Sequence, residues 1–233
     1  VFDANGISVK TTWDEVNAAA EKLKAAGIIP FAHGGQAWQD ATVFEAVAMG
    51  IGGNNYYKNC YVDLKESCLR SETTVKVFDQ MRKLQSYTDE GSPGRDWNVA
   101  TGMVIEGKAG FQIMGDWAKG EFTAAGKVPG VDYYCAPTPS NNGYLYNVDS
   151  FIFYKTSDPE KQEGQKLLAK LMMGKNFQKV FNLYKGSIPA RLDVPMDEFD
   201  KCAKTSNSDI KTAGASGGLV PSFAHGMAQG NTM

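Results

Sequence analysis

Residues 107–122 read GKAGFQIMGDWAKGEF and carry the clearest structural pattern of the chain. Their apolar run from Phe111 to Met114 is bounded by glycines, which is typical of a short buried strand. Gly115 permits a turn. Asp116 can cap a helix that begins at Trp117, because its carboxylate accepts hydrogen bonds from free backbone N–H groups. The stretch therefore predicts a strand, a turn and a helix start.

The same stretch carries the first two candidate binding residues. Ligands of α/β domains bind where strands end, and there Asp116 and Trp117 would present a carboxylate and an indole together. A carboxylate accepts hydrogen bonds from hydroxyls, and an indole offers a flat apolar face to a pyranose ring. The pair therefore indicates sugar recognition. The alternative, an Asp that only caps a helix beside a core Trp, is the commoner arrangement and stays open.

Composition excludes several classes of function. The chain has 233 residues, of which 42% are hydrophobic, enough for one large or two small cores. Its net charge is −2 and no basic patch stands out, which argues against nucleic acid and anionic membranes as partners. No apolar run approaches the length of a membrane span. Two histidines and no CxxC pair argue against zinc, and no metal or cofactor is predicted.

The four cysteines are even in number. Their positions predict two disulfides, Cys60–Cys68 and Cys135–Cys202, in an oxidising compartment. Four buried thiols in a cytosolic protein would also satisfy the sequence. The cysteine pattern alone leaves both alternatives open.

Helical and strand patterns alternate along the rest of the chain. The predicted elements are helices over residues 12–27, 40–50, 73–87 and 96–106, a strand over 28–32, a strand over 147–154, a helix from residue 157, and a helix over 177–184. We expect residues 54–71 to be irregular and residues 203–218 to form a mobile surface loop.

A second loop could face a ligand. Residues 33–40 connect the strand at 28–32 to the next helix, and they carry Gln36 and Trp38. A glycine-rich loop with an amide and an indole before a helix N-terminus is a plausible binding element.

One motif indicates a different class of function. Residues 214–218 match G-x-S-x-G, so Ser216 and His225 could serve a serine hydrolase. The surrounding context argues against this hypothesis, because no apolar strand precedes Ser216 and no acid lies between the two residues. We keep a serine hydrolase as the alternative function.

Several motifs occur together in a fixed order. They are TTWDE at 11–15, AHGGQAWQD at 32–40, GKA at 107–109 with GDW at 115–117, and KGSIPAR at 185–191. This set resembles the extracellular solute-binding proteins of bacterial carbohydrate ABC transporters. CAPTP at 135–139 and VPSFAHGMA at 220–228 resemble the periplasmic glucose-binding proteins within that family.

The resemblance implies an α/β fold of the periplasmic-binding-protein type II-like class, with two lobes and a sugar cleft between them. The start of the chain resembles the family just after its first crossing between lobes, so most of lobe one would be absent. Residues 1–138 would form lobe two, residues 139–190 the returning part of lobe one, and residues 191–233 the end of lobe two. A Cys135–Cys202 bridge would tie both lobe-two segments together.

The resemblance also implies roles for eight residues. Trp117 would stack on the sugar and Asp116 would accept from its hydroxyls. The other implied contacts are Gln36 and Trp38 on the neighbouring loop, Asn147 and Asp149 near the hinge, and Lys185 and His225 as hydrogen-bond donors.

The function implied is capture without catalysis. The protein would bind a monosaccharide, glucose by the resemblance, in the periplasm and deliver it to an inner-membrane ABC permease. It would act as a monomer and without a cofactor.

Overall fold

The computed structural model describes residues 1–8, 11–140 and 143–228. Its helices are α1 (Trp13–Ala25), α2 (Ala37–Tyr57), α3 (Glu66–Leu69), α4 (Glu72–Gln85), α5 (Trp97–Ile105), α6 (Lys119–Ala124), α7 (Pro159–Met172), α8 (Lys175–Lys185) and α9 (Lys201–Ser216). Its strands are β1 (Ile29–Phe31), β2 (Ala109–Phe111), β3 (Tyr144–Tyr146) and β4 (Leu219–Pro221). Within the described ranges, no helix is both long enough and apolar enough to cross a bilayer.

Two short parallel sheets organise these elements. Strand β1 pairs with β2, and Phe31 lies opposite Phe111. Strand β3 pairs with β4, and Tyr144 lies opposite Leu219. Parallel strands end at the same edge of their sheet. The loops that follow β1 and β2 therefore lie together, as do the loops that follow β3 and β4.

Helix α2 is the centre of the hydrophobic core. Val43, Val47 and Met49 on this helix are fully buried, and they belong to one cluster with Phe31 of β1 and Val220 of β4. Helix α4 packs along α2 in the same cluster. Both sheets are thus fixed against one helix.

Several local predictions are confirmed. Thr12 and Glu15 form a capping box at the start of α1, and Asp158 caps α7 with a proline in its first turn. Helix α8 ends at Gly186, whose φ of 87° is left-handed and therefore suits glycine. Both predicted disulfides, Cys60–Cys68 and Cys135–Cys202, are present.

The expectation of a mobile loop over residues 203–218 was wrong, because these residues form most of α9. Asp200 caps the helix by accepting from the Ala203 backbone N–H at 2.7 Å. Ala203 and Ala213 are buried, and Gly214 lies against Leu219 of β4. The small residues that looked like a loop form the packing face of the helix.

The irregular segment expected at residues 54–71 was also wrong. Helix α2 continues past Gly50 and a kink at Gly53, and a π-helical turn at Lys58–Val62 leads to α3. Tyr57 is fully buried, and the rings of Tyr57 and Tyr61 both pack on Phe223. This aromatic packing overrides the polar pattern of the segment.

Strand positions differ from the sequence expectations as well. The strand expected at 147–154 lies earlier, at β3, because the pairing with β4 ends where Ser222 N donates to Tyr146 O at 3.0 Å. In the focal stretch, β2 covers Ala109–Phe111, and Met114 already lies in the following loop.

The two disulfides should differ in their effect on stability. Cys135–Cys202 spans 67 residues, whereas Cys60–Cys68 spans 8. Because closing a longer loop removes more entropy from the unfolded chain, the double Ser variant of Cys135 and Cys202 should lose about 4 kcal/mol of unfolding free energy, and that of Cys60 and Cys68 about 2.5 kcal/mol. Urea unfolding measures both, and a larger loss for the shorter bridge would contradict the expectation.

Candidate ligand-binding site

Most of the candidate residues follow the carboxyl ends of strands. Asp116 and Trp117 come after β2, Asn147 and Asp149 come after β3, and His225 comes after β4. The rings of Trp117 and His225 meet edge to face, with 5.1 Å between their centroids. This contact joins the loop edges of the two sheets into one site.

Trp117 takes its position from a local fold-back. It lies in a short 3-10 helix, Asp116–Ala118, before α6. Its six-membered ring lies over Gly115, where an added Cβ would overlap the ring. A glycine is therefore required at this position. The indole is half-buried, which leaves part of it open to a ligand.

Asp116 does not cap the helix as expected. Gly115 occupies the cap position, and no side chain makes a capping hydrogen bond there. The Asp116 carboxylate instead accepts a hydrogen bond from Ser187 Oγ at 2.8 Å. This contact crosses from the loop after β2 to the segment after α8, so the carboxylate is turned toward the site.

The surroundings of Asp116 shift the pKa of its carboxyl in opposite directions. Burial raises the pKa of its carboxyl above the ordinary value, and this is the largest effect. The Ser187 hydroxyl and the nearby ammonium groups of Lys119 and Lys185 act in the opposite direction. A partly desolvated carboxylate of this kind gains most from a further hydroxyl donor.

Lys185 lies at the carboxyl end of α8 and pairs with Asp149. Asn147 Nδ2 donates to the other oxygen of Asp149 at 3.0 Å. The hydrogen bond from Lys185 lowers the pKa of Asp149 and is the largest cause of the shift. The three residues thus form one hydrogen-bonded group beside Asp116 and His225.

The end of α8 fits tightly against the start of α6. A Cβ on Gly186 would lie 2.7 Å from the backbone N of Gly120 and 3.1 Å from Asp116 O. At the start of α6, Lys119 Nζ makes a mostly buried ion pair with Asp200 at 2.7 Å. These contacts hold Lys185 next to the Asp116 and Trp117 loop.

His225 is held by buried polar groups. Its Nδ1 lies 2.7 Å from Ser222 Oγ, which in turn lies 2.7 Å from Glu45 Oε1. The His225 Nε2 atom is buried and has no hydrogen-bond partner among the described residues.

This geometry contradicts the hydrolase alternative. Ser216 ends α9, and its Oγ donates to Ala213 O at 3.2 Å, whereas His225 is bonded to Ser222. Ser222 does not replace it as a nucleophile, because its hydroxyl lies between the imidazole and the carboxylate of Glu45. In a catalytic triad the imidazole occupies the middle position.

Gln36 and Trp38 make their hydrogen bonds in a second network. Trp38 Nε1 donates to Gln36 Oε1 at 2.9 Å, and Gln36 Nε2 donates to Asp96 Oδ1 at 2.5 Å. The network ties the start of α2 to the loop before α5. The polar groups of Gln36 are hydrogen-bonded within this network, and the binding roles expected of Gln36 and Trp38 stay predictions.

Sequence reasoning missed three supporting residues. Ser187 and Ser222 lie inside the KGSIPAR and VPSFAHGMA motifs, so those motifs contained a signal for them. Glu45 is buried inside α2 and carries no such signal, because one acid within an apolar helix resembles a surface residue of that helix.

The titration of Asp116 tests this description of the site. Ser187→Ala removes a donor that favours the carboxylate, so the pKa of Asp116 should rise further above about 3.9, the ordinary value of an Asp. Since the folded pKa lies above the unfolded one, the stability that Asp116 contributes is present below that value and is lost as pH rises through the folded pKa. Carboxyl ¹³C NMR measures the titration.

Asp116→Asn identifies the resonance in that experiment. An Asp116 carboxyl that titrates at or below the value of an exposed Asp would contradict the dominant effect of burial, and one that Ser187→Ala leaves unchanged would contradict the contact with Ser187.

A family model described as "Bacterial extracellular solute-binding protein" matches residues 1–172. A "Probable sugar-binding periplasmic protein" of Rhizobium meliloti (strain 1021) is 47% identical over 228 residues, which are 97% of this chain and 55% of that protein. A protein of the same name from Brucella suis biovar 1 (strain 1330) is 48% identical and is covered to 54%. The chain spans about half the length of the curated relatives it matches.

Solved structures show the same fold at low sequence identity. A "Chitin oligosaccharide binding protein" superposes with a TM-score of 0.71 at 19% identity, over 97% of this chain and 58% of that one. A Streptococcus pneumoniae solute-binding protein in complex with the blood group A-trisaccharide superposes with a TM-score of 0.68 at 18% identity, over 96% of this chain and 57% of that one. The expected α/β, periplasmic-binding-protein type II-like fold is confirmed, and the chain belongs to the bacterial extracellular solute-binding protein family.

Proposed function

We propose that this chain is part of the periplasmic sugar-binding component of a carbohydrate ABC transporter, and that its ligand is a monosaccharide, glucose in the first instance. The observation that carries the proposal is the edge-to-face contact of Trp117 with His225, beside the buried carboxylate of Asp116. The names of the Rhizobium and Brucella relatives support sugar binding in the periplasm.

The polar groups around Trp117 suit the hydroxyls of a sugar. Each hydroxyl can donate once and accept twice, and a buried hydroxyl without partners is costly. Asp116 and Asp149 supply acceptors, and Lys185 supplies an ammonium donor. The open part of the Trp117 ring supplies an apolar face for the ring carbons.

The same arrangement favours binding over catalysis. Glycoside hydrolysis uses one carboxylic acid and one carboxylate placed on either side of the scissile bond. Here Asp149 is neutralised by Lys185, and Asp116 is bonded to Ser187. We therefore propose a receptor that passes its ligand to an inner-membrane permease, acts as a monomer and needs no cofactor.

We also propose a division into lobes. Residues 1–138 and 191–233 form lobe two, held together by Cys135–Cys202. Residues 139–190 leave lobe two through β3, which pairs with β4, and belong to lobe one. None of the described residues of α7 is buried. The exposed large apolar side chains among the described residues of this region are Val148, Phe151, Ile152, Phe153, Tyr154, Leu167, Leu168, Leu171, Met173, Val180, Phe181 and Tyr184.

Exposed apolar side chains gathered on one segment of the chain indicate a site of packing. An open apolar recess of about 520 Å³ lies next to Lys185 and is lined by Phe177, Val180, Phe181 and Tyr184. The apolar surface therefore runs up to the proposed sugar site. We propose that the remainder of lobe one packs there and supplies the other wall of the cleft.

Truncating Trp117 tests the sugar site. Trp117→Ala should weaken the binding of D-glucose by about 2–3 kcal/mol, because a central aromatic contact is lost. Isothermal titration calorimetry measures the affinity, and maltose, a disaccharide, should give no saturable heat. Tyr134→Ala is the control, since Tyr134 is an exposed aromatic residue on a different loop. Equal affinities for Trp117→Ala and the unaltered chain would remove Trp117 from the site.

The lobe division has its own test. In this chain, Leu167→Gln with Leu171→Gln should change the unfolding free energy by about 0.5 kcal/mol or less, because both side chains are exposed. In a chimera that joins this chain to the unmatched part of the Rhizobium meliloti relative, the same pair should lower the unfolding free energy by about 2 kcal/mol or more, since both side chains would be buried. An equally small loss of unfolding free energy in this chain and in the chimera would contradict the division into lobes.

A further inference from the structure

We propose that Glu45 and Ser222 are positioning residues that hold neutral His225 as its Nδ1–H tautomer. In this form His225 presents Nε2 to the ligand as a hydrogen-bond acceptor, the reverse of the donor role that the resemblance implies. The part of this inference that concerns the ligand rests on the proposed function. The tautomer itself does not.

Glu45 is the fixed end of the arrangement. It is 3% exposed. Its carboxylate faces Ser222 Oγ at 2.7 and 2.9 Å, the Tyr57 hydroxyl at 3.1 Å and the Ala224 backbone N–H at 3.2 Å. The Ser222 hydroxyl and the Ala224 N–H can both donate to the carboxylate, and the Tyr57 hydroxyl can donate either to it or to Pro221 O, which is also 3.1 Å away. When Glu45 is ionised, both of its oxygens accept. A buried carboxylate also requires such donors, because leaving it unpaired is costly.

The proton of Ser222 then decides the tautomer. A hydroxyl has one proton, and the Ser222 proton is directed to the Glu45 carboxylate. Ser222 Oγ must therefore accept from its other partners, which are the His225 backbone N–H at 3.2 Å and His225 Nδ1 at 2.7 Å. The Nδ1 atom consequently carries the ring proton. The negative charge of Glu45, 3.7 Å from Nδ1, favours the same placement.

A neutral imidazole has a single N–H, so Nε2 retains its lone pair. That atom is buried beside Trp117 and has no hydrogen-bond partner among the described residues. A ligand hydroxyl that donates to Nε2 would satisfy it. Lys185 supplies a hydrogen-bond donor to the same site. A sugar would therefore meet both a donor and an acceptor, and the directions of its hydroxyls would decide whether it fits.

The composition of the chain makes the tautomer measurable. Only two histidines are present, and His33 serves as an internal control, because its Nε2 lies 2.7 Å from Asp40 Oδ1 and should carry the proton. Two-bond ¹H–¹⁵N correlation spectra of the ¹⁵N-labelled protein at pH 8 distinguish protonated from unprotonated ring nitrogens. We expect Nδ1–H for His225 and Nε2–H for His33.

Variants of Ser222 separate positioning from general packing. Ser222→Ala should shift His225 toward the Nε2–H tautomer, leave His33 unchanged and weaken glucose binding about tenfold, the effect of one misdirected hydrogen bond. Ser222→Thr retains the hydroxyl and should restore both the spectrum and the affinity. If Ser222→Ala does not fold, the spectrum of the unaltered protein still decides the tautomer.

Four outcomes are informative. Nδ1–H in the unaltered protein, with a His225 resonance that moves on glucose addition, supports the whole inference. Nε2–H in the unaltered protein overturns it. Nδ1–H with calorimetric glucose binding that leaves His225 unchanged overturns the acceptor role. Nδ1–H with no heat from any sugar supports the positioning by Glu45 and Ser222 and counts against the proposed function instead.

Discussion

The hydrogen bonds of the buried Glu45 carboxylate hold the site together. The carboxylate lies inside α2, the helix at the centre of the core, and receives hydrogen bonds from Tyr57 and from the segment after β4. Burying a charge is costly unless several donors surround it. The chain after Pro221 must therefore fold back onto α2, and this return places His225 against Trp117.

A second constraint fixes the other side of the site. Gly186 ends α8 in a left-handed turn and lies close to the backbone of α6, so Lys185 and Ser187 are held beside Asp116. The site is thus assembled from four separate parts of the chain, which lie after β2, after β3, at the end of α8 and after β4. The apolar face of α7 and α8 leads away from it and remains exposed, which agrees with a chain about half as long as the relatives that it matches.

The sequence predicted the helix starts and stops best, because capping residues act locally. The capping box at Thr12 and the stop at Gly186 needed no knowledge of the rest of the fold. Helix α9 was missed because its small residues are explained only by the strand on which they pack. The cap expected of Asp116 failed for a similar reason, since Ser187, 71 residues away, competes for the carboxylate.

The candidate site was partly accessible from sequence. The motif around Gly115 and the motif that contains His225 pointed to residues that the structure brings into contact. Gln36 and Trp38 were predicted from their loop, but their hydrogen bonds lead to Asp96, a contact between segments that no local pattern reveals. Glu45 could not be identified, because its role depends on donors more than 170 positions along the chain.

A glucose titration followed through the four tryptophan indole N–H resonances shows which indole contacts the sugar. Trp13 lies in the core, Trp38 lies in the Gln36 network, and Trp117 faces His225. We expect a saturable shift that is largest for Trp117 and negligible for Trp13. A saturable shift at Trp38 with Trp117 unchanged, or no shift at any indole, would contradict this expectation.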